Sequence, residues 1–241
     1  MHLFWEALSS RPYWRGALIA LVLTAPSLAA ALVIGFFVAL GSLSTRRAVR
    51  TVSWIYNWFF RATPTLLQLI FVWYVLPTWW SGFAHSWFTP FFAAWIALSL
   101  NEAAYASEII RASLMSVDPG QELAGRALGL SRRRILRRIV IPQATRIAIP
   151  PIGNEFITLL KLTSLATIIS VQELLTAALN LTSATFSYDA PLLAAVVYYL
   201  FIVSILMVIQ SRLERKFTWT SRRRGRVAAP AAVPAMSHDA R

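Results

Sequence analysis

The chain has 241 residues, of which 57% are hydrophobic and only 14% charged, with a mean hydropathy of +0.58. Soluble domains usually carry about a quarter charged residues. Here the few charges sit in blocks between long uncharged stretches, so a water-soluble enzyme is excluded and an integral membrane protein is implied. The net charge of +13 would suit nucleic acid, but the basic residues flank apolar segments, and nucleic acid is not expected as a partner. There is no cysteine, and His2, His85 and His238 lie far apart. Disulfides, thiolate chemistry, a metal site and a cofactor are therefore not expected.

A helix needs roughly 20 apolar residues to cross a bilayer. Residues 16–43 carry no charge and form the first predicted span. They run well beyond a signal-peptide core, so cleavage near Ala29-Ala30-Ala31 is not expected. The uncharged stretch from Ala62 to Asn101 is too long for one span. It divides into a second span near 62–80 and a third near 90–110, with Pro77, the Trp79-Trp80-Ser81-Gly82 run and Pro90 marking an interfacial turn.

Between spans three and four the sequence reads as a short helix followed by a basic one. Asp118 can cap the first, Pro119 suits its first turn, Gln121 sits where a capping box would place it, and Gly129 can take the left-handed stop. Leu123, Ala127, Leu128 and Leu130 give this helix an apolar face. Pattern alone leaves open whether that face meets a partner groove or lies on lipid headgroups. Ser131 restarts a basic helix over 132–140, which Pro142 is expected to limit. A fourth span is predicted over 147–171, beginning near Pro150-Pro151, and a fifth over 190–211. The Ala/Pro-rich end, from about 221 to 241, reads as a disordered cytoplasmic tail.

Orientation follows from Lys and Arg. Arg46, Arg47, Arg50 and Arg61 follow span one, the 111–146 connection carries eight arginines, and a basic cluster follows span five. The connections 81–89 and 172–189 contain neither residue, and only Arg11 and Arg15 dissent. This predicts a cytoplasmic C-terminus and, with five spans, an external N-terminus.

Four motifs then carry a resemblance: Arg61-Ala62-Thr63-Pro64-Thr65-Leu66-Leu67-Gln68; Ala104-Tyr105-Ala106-Ser107-Glu108-Ile109-Ile110-Arg111; Gly120-Gln121-Glu122-Leu123-Ala124 leading through Ala127-Leu128-Gly129 to Ile141-Pro142-Gln143-Ala144; and Asn154-Glu155 with Lys161-Leu162-Thr163-Ser164-Leu165. From Trp54 to about Trp219 the chain resembles the permease subunits of bacterial ABC importers for polar amino acids, the histidine, glutamine and arginine group. The resemblance implies an all-α, integral membrane helical bundle of the type I ABC importer class, spanning 1–220 with about five transmembrane helices. Its EAA loop would lie at about 118–143 and form a cytoplasmic coupling helix that docks on an ATPase. It further implies the bacterial inner membrane, an ABC ATPase subunit dimer, a periplasmic solute-binding protein and a second permease subunit, identical or merely similar. The chain departs from the family pattern at Leu123, within Glu122-Leu123-Ala124-Gly125, and at Leu162, where many members have Asp.

By this resemblance, ATPase coupling falls to Gly120, Gln121, Glu122, Ala124, Ala127, Leu128, Gly129 and Pro142. A path for a zwitterion needs polar groups inside the bundle. The candidates are Thr63 and Gln68 beside span two; Asn101, Glu102, Tyr105 and Glu108 on span three; and Glu155, Lys161, Thr163 and Ser164 on or after span four. Glu102 and Glu108 are about 240° apart around a helix and cannot face one cavity, whereas Asn101, Tyr105 and Glu108 can share a face. Alternatively, Glu108 pairs with Arg111 and Lys161 with an acid on another span, to hold the bundle.

Gly120 and Gly125 have P-loop spacing, but Arg126-Ala127 follows where Lys and Ser or Thr are required, so ATP hydrolysis is assigned to a separate subunit and the chain is not itself expected to be an enzyme. An intramembrane enzyme would need a histidine constellation that the spans lack. A self-contained channel or exchanger without ATPase is the alternative transport reading, and it would need no coupling helix.

Overall fold

The computed structural model describes residues 2–225, with side chains through Phe217. Among these residues the chain is helical throughout, without strands. The helices are α1 (His2–Ser9), α2 (Arg11–Ser42), α3 (Arg47–Ala62), α4 (Thr65–Ile70), α5 (Leu76–Trp79), α6 (Pro90–Met115), α7 (Pro119–Ala127), α8 (Arg132–Ile135), α9 (Ile141–Leu162), α10 (Leu174–Thr185) and α11 (Asp189–Gly225). Phe71–Val75 and Leu136–Val140 are π-helical turns, and Ser81–Phe83 and Thr163–Ile169 are 3-10 turns.

Among the described residues three helices are long and apolar enough to cross a membrane: α2, the continuous run Arg132–Ile169, and Asp189–Phe217 within α11. The expected second span does not stand alone. It runs from Thr65 to Trp79, and together with α3 it passes the same test as a pair bent by 102°. Pro64 explains the break, because it holds Thr63 in an extended conformation at φ −102° and ψ 141°. Helix α3 went unread in the sequence because its arginines suggested only a basic connection.

α6, expected as span three, is 26 residues long but is not among the apolar candidates. Asn101, Glu102, Glu108 and Arg111 interrupt its hydrophobicity, and α2, α3, α4 and α9 cover it instead. Its contact with α2 is close because both helices present small residues. Ala31, Gly35 and Ala39 recur every four positions on α2 and are buried against the α6 stretch containing Ala103 and Ala106. A Cβ at Gly35 would lie 2.9 Å from the Ala103 carbonyl oxygen and 3.0 Å from the Ser107 nitrogen. Backbones approach this closely inside a membrane only where small residues line the contact.

The core divides in two. One cluster gathers Leu23, Leu69, Phe88, Leu98, Leu159 and Ile169 from α2, α4, α6, α9 and their turns. The other joins α1 and the start of α2 to α10 and α11 through Ala7, Tyr13, Leu174 and Ala194. Helices α1 and α10 had no counterpart in the sequence reading. α10 is started by Glu173, whose carboxylate accepts the Leu175 and Thr176 N–H groups and the Tyr199 hydroxyl. A carboxylate at this position satisfies amides that would otherwise be orphaned in a buried helix start.

α11 shows much of its surface to the surroundings, with Leu193, Val196, Leu200, Phe201 and Ile205 exposed. Polar clasps tie it down. Tyr13 donates to the Pro191 carbonyl, Tyr198 to the Leu8 carbonyl, and Gln210 to the Pro150 carbonyl in α9. α11 also continues to Gly225, so residues 221–225, assigned by sequence to a tail, have a helical backbone; no proline or glycine lies between Pro191 in its first turn and Gly225 to stop it. The rest of that expected tail, 226–241, lies outside the described residues.

Candidate functional site

α7 follows α6 after the short connection 116–118 and packs on α8 and the π turn beyond it. Asp118 caps it by accepting the Gly120 N–H at 2.8 Å. The Gln121 side chain does not complete a capping box. It accepts instead from Gln143 Nε2 of α9 at 3.4 Å, an amide that also donates to the Ile139 carbonyl at 3.1 Å. The far end closes as a Schellman motif: Leu130 N–H reaches the Gly125 carbonyl at 3.0 Å and Gly129 N–H the Arg126 carbonyl at 2.9 Å, with Gly129 at φ +71°.

The two sides of α7 differ. Gly125 is buried so tightly on Ile135 that a Cβ there would lie 2.9 Å from Ile135 Cγ1. The other side presents Leu123 at 66% and Leu128 at 78% exposure, with Ala124 and Ala127 also exposed. Glu122 and Arg126 form an exposed ion pair one turn apart, which contributes only a few tenths of a kcal/mol to the helix. The result is a capped rod with a free aliphatic face, rigidly seated on the helix behind it.

Pro142 was expected to end the basic helix, and it does not. The π turn Leu136–Val140 opens the hydrogen-bond ladder where Pro142 has no N–H to give, and the helix runs on from Arg132 to Ile169. Pro150 and Pro151 likewise lie inside α9. α7 is therefore joined mechanically to the helix that carries Glu155.

The polar residues inside the bundle form separate groups. The first holds the α3–α4 bend. Gln68 Nε2 donates to Thr63 Oγ1 at 2.7 Å and to the Phe60 carbonyl at 3.0 Å; Asn101 Nδ2 donates to that same carbonyl at 3.1 Å and to Gln68 Oε1 at 3.0 Å. These bonds satisfy groups freed where the helix breaks, so Gln68, Asn101 and Thr63 are committed to the bend.

The second group is a carboxyl pair. Glu102 of α6 is 1% exposed and faces Glu155 of α9, and its Oε1 has no hydrogen-bond partner among the described residues. The two carboxyls lie within hydrogen-bonding reach of each other, so they satisfy one another only when one carries a proton, and an ionised pair calls for a cation or donor from outside it.

The third group lies further along α6. Glu108 accepts Arg111 Nε and Nη2 at 3.0 and 2.8 Å and Asn57 Nδ2 at 3.0 Å. Arg61 sits over the Tyr105 ring, 5.5 Å from its centroid. Tyr105 and Glu108 share a groove, but Asn101, expected on the same face, is turned into the bend instead. Asn57, buried and bonded to Ser107 and Glu108, was not singled out in the sequence; its spacing of four from Ser53 on an otherwise exposed helix was the available signal.

Lys161 is exposed and makes no ion pair among the described residues. Thr163 and Ser164 donate to carbonyls three residues back, Leu160 and Lys161, at 2.7 Å each, a local bonding that leaves them little to offer a ligand.

Residues 31–219 match the family described as binding-protein-dependent transport system inner membrane component. The nopaline transport system permease protein NocM of Agrobacterium fabrum is 38% identical over 237 residues, covering 92% of this chain and 95% of that one. The L-cystine transport system permease protein TcyB of Bacillus subtilis is 37% identical, covering 88% of each chain. The arginine transport system permease protein ArgU of Corynebacterium glutamicum is 39% identical, with the match covering 83% of this chain and 66% of that longer protein. A crystal structure of an amino acid ABC transporter with histidines superposes at a TM-score of 0.77 with 31% identity, over 85% of this chain and 94% of that one. An inward-facing structure of the MetNI methionine ABC transporter shares the fold at a TM-score of 0.72 and 21% identity. The family match covers most of the chain, and the exposed rod, the bent helix pair and the inward carboxyls all lie within it: this chain belongs to the binding-protein-dependent transport system inner membrane components, as a permease of the amino acid ABC transporter type.

Proposed function

We propose that the chain is the membrane subunit of an ATP-driven importer for polar or charged amino acids, working as one of two permease subunits. A solute-binding protein delivers the amino acid to the face that carries α1 and α10. Closure of two ATPases on the opposite face draws the α7 rods together and moves α9, reorienting the bundle. The charge distribution supports this arrangement, with the arginine-rich connections on the ATPase side, the C-terminus cytoplasmic and the N-terminus outside. ATP can drive the change only if it binds the two states of the assembly with different affinity.

The observation that carries the reading is α7: a helix capped at both ends, with Leu123 and Leu128 exposed and its other side fixed on the helix that continues into α9. An aliphatic face exposed to water is unfavourable unless a partner covers it. Gln121, Glu122, Ala124, Ala127 and Leu128 would meet that partner, while Gly120, Gly129 and Pro142 shape the rod and its junction.

Within the bundle, Glu102 and Glu155 are the groups best placed to meet cargo. Every free amino acid carries an ammonium group, and the Glu102–Glu155 pair, in which Glu102 Oε1 has no other partner among the described residues, offers it acceptors within the spans. Lys161, exposed and unpaired, is available for the carboxylate.

Proteoliposomes test the reading. The chain reconstituted with its cognate ATPase and binding protein should accumulate radiolabelled amino acid only when ATP is present. Equal uptake by vesicles lacking the ATPase would make the protein a self-contained carrier and contradict it.

A further inference from the structure

Helices α3 and α6 enclose a groove of about 660 Å³ that the bend cluster and the carboxyl pair leave unused. One wall is a single stripe of α3, in which Arg50, Trp54, Asn57, Trp58 and Arg61 recur at spacings of three and four. The other is the α6 stripe of Tyr105, Glu108 and Arg111. Glu108 is already held by Arg111 and Asn57, so the groove's one carboxylate is spent within its own wall. Arg50 donates only to the Ser44 carbonyl, at 3.3 Å, and Arg61 only meets the Tyr105 ring; neither has an acidic partner among the described residues. Two exposed guanidinium charges are left without an acidic partner among the described residues.

Depth decides what can neutralise them. With Pro90, which follows the tryptophan-rich turn, taken at one boundary, Tyr105 to Arg111 fall roughly 22 to 32 Å along α6 at about 1.5 Å per residue, a stretch that runs from inside a hydrocarbon core about 30 Å thick to its far boundary. Trp54 and Trp58, stacked with centroids 6.2 Å apart and exposed, are of the side-chain type that settles at headgroup level. We propose that this groove binds the headgroup phosphate of an anionic phospholipid in the inner leaflet, Arg50 and Arg61 reaching the phosphate and the two tryptophans lying against its glycerol and upper acyl chains. Planar guanidinium groups pair with phosphate oxygens through two parallel hydrogen bonds, and a zwitterionic lipid gives a weaker match because its own cation competes. The inner-leaflet assignment rests on the orientation proposed above; the site itself does not.

The test uses the purified complex in detergent, with thermal unfolding and native mass spectrometry as readouts, titrated with dioleoylphosphatidylglycerol, dioleoylphosphatidylcholine or glycerol 3-phosphate. Phosphatidylglycerol at about a hundredfold excess over its Kd should raise the unfolding midpoint by about 5–10 °C and be retained in the mass spectrum. The Arg50→Gln/Arg61→Gln variant should lose most of both effects, and Arg50→Lys/Arg61→Lys should keep part of the retention. Equal effects of the two lipids, or full retention by the glutamine variant, would overturn the site. An equal shift with glycerol 3-phosphate would make the occupant a soluble phosphate and overturn the lipid assignment. If the glutamine variant cannot be purified, the comparison between lipids on the lysine variant and the wild type still decides. Neither readout needs transport, so this result and the importer reading can fail independently.

Discussion

Replacing Gly129 with Val is expected to lower ATP-driven uptake about tenfold or more while insertion into the membrane stays normal. Gly129 has φ +71°, and nothing lies within 4 Å of where its Cβ would be. The substitution therefore acts on the backbone alone. A side chain in the left-handed region costs about 1–2 kcal/mol, and a β-branched one is worse placed still. The strain is relieved if the Schellman closure opens, which frees the Gly125 and Arg126 carbonyls and lets Leu128 swing away from the face shared with Leu123. ATP hydrolysis by the complex should then persist without matching uptake. Gly129→Asn, which tolerates this conformation, should retain most of the activity. Hydrolysis and uptake measured side by side on both variants give the answer, and normal uptake by the valine variant would remove α7 from the coupling route.

The second large effect is expected at Glu102. Glu102→Gln keeps the shape of the side chain and removes its capacity for charge, in a place where the carboxyl is fully buried and faces Glu155. A hydrogen bond to a charged group contributes about 1.5–3 kcal/mol, so initial uptake should fall by about 10- to 100-fold when cargo meets this carboxyl. The expectation includes a raised half-saturation constant for uptake and undiminished amounts of protein in the membrane. Depletion of the variant from the membrane, with normal specific uptake by what remains, would assign the pair a purely structural role.

Different parts of this molecule were legible to different degrees, for physical reasons. Apolar runs without charge gave the existence and the uncharged ends of the first and last spans, because the bilayer imposes a length that the sequence must meet, but the helices run on past the charged residues, to Arg11 at one end of α2 and past Ser211 in α11. The caps of α7 were equally plain: Asp118, Pro119 and Gly129 are residue types whose backbone preferences act locally. α3 was hidden because an amphipathic helix and a positively charged connection contain the same arginines, and only a partner surface reveals which is meant. Pro142 misled because the rule that proline ends a helix assumes a regular ladder, and a π turn relaxes that ladder. At the candidate site, polar residues inside spans were correctly marked as unusual, yet their groupings depend on helix–helix packing. Gln68 and Asn101 turned to the bend and Glu102 to Glu155, assignments that no spacing along one helix could have separated. The Glu108–Arg111 pair, by contrast, lies three residues apart on one helix and was open to reading from sequence.

In the proposed mechanism the exposed face of α7 meets the motor of the transporter. The chain has no cysteine, so a single Leu128→Cys substitution introduces a unique thiol on that face, with Leu193→Cys on the exposed side of α11 as control. Treatment of native membranes with a short heterobifunctional thiol-to-amine cross-linker, followed by identification of the conjugate, should join the residue-128 thiol to a nucleotide-hydrolysing subunit and leave the residue-193 thiol without that product. A residue-128 thiol that is modified in full, in membranes active for uptake, yet never joined to such a subunit would contradict the account.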